Sequence, residues 1–131
     1  MKQSNLKFTN PIVTHLVFDI NSQYDRESTA PIQNSFSVEI SKSDDENEAI
    51  VQLSILIGKK EFTTEEPFCI DMTIGAKFKW DNVYDEKTLQ ELLSKNAPAL
   101  LLGYARPIIA NITDAGPIPA YHLPFYNFID D

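Results

Sequence analysis

The sequence predicts an α+β chain, a four-stranded antiparallel sheet followed by two C-terminal helices packed on one of its faces. Three observations carry this. The first two thirds of the chain alternates β-branched and aromatic runs with polar breaks that hold Pro or Gly. From Asp85 onward the apolar spacing changes to leucines at i, i+3 and i+4. No strand-like run returns afterwards, so strands and helices are segregated, and the 131 residues read as one domain, 1–131.

The first strand is expected over 11–20, where Pro-Ile-Val-Thr-His-Leu-Val-Phe-Asp-Ile is rich in β-branched and aromatic residues. Asn21 to Asn34 is polar, contains Pro31 and reads as a connecting loop. Ser35 to Ser41 alternates, with Phe36, Val38 and Ile40 on one face, as a half-buried strand does. Ser43 to Glu48 is a solvated hairpin turn; its acids lack the spacing and central glycine of an EF-hand loop. Ala49 to Ile57 is the third strand, and Gly58-Lys59-Lys60 a bend or tight turn. Phe68 to Trp80 is the fourth, with Phe68, Ile70, Met72 and Ile74 alternating against Cys69, Asp71 and Thr73. Gly75 is expected to break it or form a bulge. Consecutive short connections make the sheet mostly a meander.

Asp85-Glu86 places acids in the first turn of a helix, as the helix dipole prefers. Asn96 is the expected N-cap of a second, longer helix, with Pro98 in its first turn, Pro107 bending it and Gly116 ending it. Between Ala97 and Ile112 the only charged residue is Arg106. A helix apolar on nearly all sides needs cover. The chain supplies too little other material, which points to self-association. The segment after it, Pro117 to Tyr126, is studded with prolines and aromatics.

Composition excludes several classes. With 11 basic and 19 acidic residues the net charge is −8, unsuited to nucleic acid or an anionic membrane surface. One cysteine allows neither an intrachain disulfide nor a Cys-based metal cage, and a reducing, cytoplasmic setting fits. The polar N-terminus lacks the apolar stretch of a signal peptide. The run from Ala97 to Ile112 is too short to span a membrane, so no membrane insertion is expected.

Catalysis has little to stand on. His15 and His122 are the only histidines and lie far apart in sequence, without ligand-spaced partners, so no metal site and no cofactor are expected. No phosphate loop, nucleophile elbow or paired-histidine motif occurs. Cys69 reads as buried packing in a strand rather than a nucleophile. The chain is therefore read as a non-enzyme.

Tyr104-Ala105-Arg106 late in an apolar helix, Gly116, Pro119, Leu123 and then Asn127-Phe128 resemble the C-terminal core of the SecB protein-export chaperones. Phe68 to Gly75 resembles that family's strand of aromatic, apolar, apolar, acid, apolar, two polar residues and glycine. Phe18-Asp19 matches a Phe–acid pair of its first strand. The resemblance implies an ATP-independent holdase, a homotetrameric dimer of dimers that binds unfolded or precursor polypeptides, with protein export as a possible setting. It places clients against Ile118, Tyr121, Leu123, Phe125, Tyr126, Leu101 and Tyr104. It places the subunit interface at Ile70, Met72, Ile74, Leu100 and Ile108, and contacts to the SecA motor at Asp19 and Asp71.

Two departures qualify this. His15 stands where the family carries a second motor-facing acid. The chain continues only three residues past Phe128, without the family's further helix or the residues of its zinc-binding tail. Metal-assisted SecA contact is accordingly not expected. Two rival readings stand beside the holdase. One is a module of the same fold dedicated to one partner, such as an antitoxin. The other is a small enzyme or ligand carrier using a pocket beneath the C-terminal loop.

Overall fold

Among the described residues five strands form one antiparallel sheet: β1 (Lys7–Phe8), β2 (Ile12–Ile20), β3 (Asn34–Lys42), β4 (Glu48–Ile57) and β5 (Phe68–Lys79). The structure, a computed structural model, describes residues 6–44, 46–81, 84–116 and 118–128. Strands β3, β4 and β5 are a meander. β1 and β2 both pair with the far side of β5, Phe8 opposite Phe78 and Phe18 opposite Ile70. The five strands thus occupy four positions: the expected first strand is β2, and β1, which was not expected, precedes it along the same edge. Pro11 lies between the two, where it has no amide hydrogen to offer a ladder.

The expected meander fails at one step, because β2 lies beside β5 rather than β3. The 21–33 connection therefore passes from one sheet edge to the other. Buried Asn21 ties it down, its Nδ2 donating to the Thr63 and Glu66 carbonyls at 2.6 and 2.7 Å. Opposite it, the Glu66 carboxylate accepts from the Thr63 amide and hydroxyl, both at 2.7 Å. The Thr63 amide, then its hydroxyl, holds the Glu66 carboxyl below its ordinary pKa.

Gly75 neither breaks β5 nor bulges it. It pairs with Gln52 and Ile12, and the irregularity falls in β2 between Val13 and His15. A side chain at Gly75 would press on the Val51 carbonyl and the Gln52 side chain, so glycine here permits close strand approach. Gly58 is the conformational glycine. Its φ of +82° favours glycine, and an added Cβ would meet the Phe68 carbonyl oxygen. Gly58→Ala should destabilise the chain by about 1–3 kcal/mol in a urea melt.

The two expected helices are one continuous helix: α1 (Glu86–Glu91), a π-helical turn (Leu92–Asn96) and α2 (Ala97–Thr113). Asp85 caps it, accepting from the Thr88 amide at 2.7 Å. Asn96 is helical and makes no side-chain cap, contrary to the expected second start. Pro98 supplies the reason for the wider turn, since it cannot donate to the carbonyl four residues back. The Ala97 amide reaches back five residues to the Leu92 carbonyl. The helix ends at Thr113, three residues before Gly116.

α2 crosses β4 and β5, burying Leu101, Ala105 and Ile109 against Val51, Leu53, Ile55, Met72 and Ile74. Alternation along β4 and β5 directs these apolar side chains to the helix side and leaves the other face mostly polar.

Candidate functional site

The segment after α2 returns along the helix flank towards β3, without regular secondary structure between Ile118 and Phe128. Its described residues make no backbone–backbone hydrogen bond to the rest of the chain, so side chains hold it. Buried Thr113 is the first tether. Its hydroxyl donates to the Ile109 carbonyl at 2.8 Å and accepts from the Tyr121 amide at 2.7 Å. Tyr121 then reaches the end of β3, its hydroxyl 2.9 Å from Asn34 Nδ2, and packs edge-on against Phe68. Arg106 is the second tether, with Nε donating to the Leu123 carbonyl at 2.7 Å and the guanidinium 3.9 Å above the Phe125 ring.

These tethers lay the aromatics over β3. Tyr126 stacks on Phe36 with centroids 4.5 Å apart, and Phe128 meets the same ring edge-on at 6.0 Å. Phe36, Ser37, Val38 and Ile40 of β3, with Ser94, Tyr126 and Phe128, line an open groove of about 270 Å³. Its walls mix the apolar and aromatic groups of Phe36, Val38, Ile40, Tyr126 and Phe128 with polar atoms that include those of Ser37 and Ser94, and its residues carry no ionisable group apart from the Tyr126 phenol. Such a surface accepts apolar side chains of varied shape. A second, smaller cavity of about 130 Å³ lies between the 30–33 and 58–67 loops, with Ile32 and Pro67 in its wall.

The structure sorts the expected client residues into three groups. Tyr126 and Phe125 are accessible, 47% and 84% exposed, and Tyr121 and Ile118 are half-buried beside the core. Leu101 and Leu123 are fully buried, so no client can touch them; they anchor the helix and the returning segment. Tyr104 packs against Phe8 of β1 at 6.3 Å. It lies two residues from Arg106, about 200° around the helix, and so on the flank away from the groove.

The expected interface needs a similar correction. Ile70, Met72 and Ile74 lie wholly inside the single chain beneath α2, not on a surface a partner could meet. Leu100 and Ile108 remain partly exposed on α2. Sequence reasoning missed Phe36, Val38, Ile40 and Phe128 as groove residues. The β3 alternation was a usable signal for three of them. The Thr113 and Asn34 tethers had no local signal, because each depends on Tyr121 arriving from elsewhere in the chain.

Asp19 and Asp71 stand on the opposite sheet face. There Asp71 has two basic neighbours, Lys60 Nζ at 3.3 Å and His15 Nε2 at 3.4 Å. Burial pushes the Cys69 thiol up, and the carboxylates of Asp19 and Asp71 push it further, which opposes the thiolate a nucleophile needs. Among the described residues no three His, Cys, Asp or Glu side chains gather as metal ligands would, and no helix is long and apolar enough to cross a membrane.

The profile of the SecB family, described as preprotein translocase subunit SecB, matches residues 6–130. This chain belongs to the SecB family. Among solved structures, it is similar to the Mycobacterium tuberculosis SecB-like chaperone Rv1957 in complex with a ChAD peptide from the Rv1956 HigA1 antitoxin. That likeness has a TM-score of 0.76 at 12% identity and covers 94% of this chain and 91% of the other. A Streptococcus agalactiae protein of unknown function is similar with a TM-score of 0.58 at 14% identity, over 95% and 100% of the two chains. No curated protein matches the sequence. At these identities the solved structures speak for the fold alone.

Proposed function

We propose that this SecB-family chaperone is an ATP-independent holdase that keeps non-native polypeptides from aggregating by binding them along β3 and the 118–128 segment. The observation that carries the reading is the aromatic groove of Phe36, Tyr126 and Phe128 in a chain of this family. Apolar burial of about 25 cal/mol per Å² would hold a client without reading its sequence. The family offers no catalytic role, and the buried, high-pKa Cys69 supports a non-enzymatic reading.

Self-association belongs to the same proposal. The outer flank of α2 presents Ala99, Leu100, Gly103, Tyr104, Pro107 and Ile108, with no charge among them and open space around Gly103. A second copy packing there would cover it and build the dimer of dimers. The setting is cytoplasmic on this reading. Client binding on this reading does not require SecA, because Asp19 and Asp71 lie on the sheet face away from the groove, where Asp71 already faces two basic groups.

One observation favours a second reading, dedication to a single partner: the similar Rv1957 was solved with an antitoxin peptide. The two part in one experiment. An unfolded test protein should stay soluble when mixed with this chaperone at micromolar concentration and low or moderate salt. If scattering rises as fast as without it, while one antitoxin-like partner co-purifies, the dedicated module replaces the holdase.

A further inference from the structure

We propose that β3 is a docking edge, to which an extended polypeptide segment adds as an antiparallel strand with apolar side chains at alternate positions. The inference rests on the polypeptide-binding reading above and names how the guest backbone is held.

Register decides which backbone groups of β3 are free. At its two ends the Gly58 amide donates to the Gln33 carbonyl at 2.8 Å, and the Ser43 amide to the Glu48 carbonyl at 3.1 Å. Both bonds continue the pairing that runs from Asn34 opposite Ile57 to Lys42 opposite Ala49. In an antiparallel ladder, residues bonded to the neighbour alternate with residues that turn both N–H and C=O away from it. Counting inward from Gln33 and Ser43, Ser35, Ser37, Glu39 and Ser41 bond to β4. Phe36, Val38 and Ile40 therefore turn their N–H and C=O groups outward. Among the described residues no strand lies beyond β3, and no backbone group meets these.

The two sheet edges differ in protection. β2 carries the irregularity between Val13 and His15 and follows Pro11, devices that discourage strand addition. β3 runs for nine residues in unbroken register without Pro or Gly. Phe36, Val38 and Ile40, whose backbone groups turn outward, all line the groove, with Ser37 among them. Opposite residues of an antiparallel pair share a face, so a guest would place alternate side chains beside Phe36, Val38 and Ile40. Its intervening residues would lie beside Ser35, Ser37 and Glu39. The occupant this selects is a short extended segment, apolar at alternate positions and polar or basic between. The chain's own C-terminal segment sets Tyr126 and Phe128, two residues apart, on the Phe36 ring through side chains alone, and no backbone group of its described residues bonds the outward groups of β3. Main-chain pairing would add affinity that is independent of side-chain identity.

The test uses the unmodified protein and one fluorescent peptide of alternating leucine and lysine in three forms. The first is unmodified, the second is N-methylated at the leucines, and the third is N-methylated at the lysines. In the proposed pairing the leucine amides point at β3 and the lysine amides point away. Anisotropy should show binding weakened about tenfold or more by leucine methylation, the scale of one or two lost hydrogen bonds, and little changed by lysine methylation. Val38→Pro, which removes an outward amide while leaving the β4 ladder its bonds, should weaken the unmodified peptide likewise. Equal effects of the two methylations, or none, would overturn strand addition and leave polypeptide binding standing. Failure of every form to bind would overturn both.

Discussion

Ile74→Asp should abolish cooperative folding, whereas Ile108→Asp should leave the subunit folded and reduce the mass of the assembly. Ile74 is 1% exposed among other apolar side chains, with no described cation to pair a carboxylate. Burying an unpaired charge there is expected to cost more than about 4 kcal/mol, out of a total stability of roughly 5–15 kcal/mol. Ile108 sits on the partly exposed flank of α2, where a carboxylate can reach water in the free subunit. In an assembly it would be desolvated, and interfaces of obligate oligomers bury about 2,000 Å² or more with few charges in their centre. Circular dichroism and light scattering on both variants separate the outcomes. An Ile108→Asp protein with the mass of the unmodified one would remove α2 from the interface. A single-subunit mass for the unmodified protein at all concentrations would end the assembly proposal.

Replacing Phe36 and Tyr126 together by serine should abolish most aggregation suppression while the sheet and helix persist. If a client covers about 100 Å² of the two rings, at about 25 cal/mol per Å² the loss is about 2.5 kcal/mol, roughly sixtyfold in affinity. Both side chains lie at the sheet margin rather than beneath α2, so the central core is untouched. Tyr121 is deliberately spared, because its bonds to Asn34 and Thr113 hold the returning segment in place. A refolded, stable double variant that protects a test protein as well as the original would move the client site elsewhere. Tyr126→Ser alone serves as the check if the Phe36 change weakens β3.

The sequence by itself determined the local pieces. Period-two alternation placed β3, β4 and β5 within a residue or so and separated Ile70, Met72 and Ile74 from Cys69, Asp71 and Thr73 correctly. The motifs around Tyr104 to Phe128 also pointed to the SecB family that the profile match shows. Tertiary structure decided everything that depends on neighbours. Alternation tells which residues share a face, not what covers it; the resemblance set Ile74 at a subunit interface and Leu123 against clients, and packing within the single chain buries both. Strand order is set by what the sheet buries, so β2 lies beside β5, far from its successor. Pro98 looked like the start of a helix because missing an amide usually marks one. Here a π turn moves the bond back to Leu92, and the helix continues through. The groove itself exists only where β3, Ser94 and the end of the chain meet, at separations in sequence that no local pattern can encode.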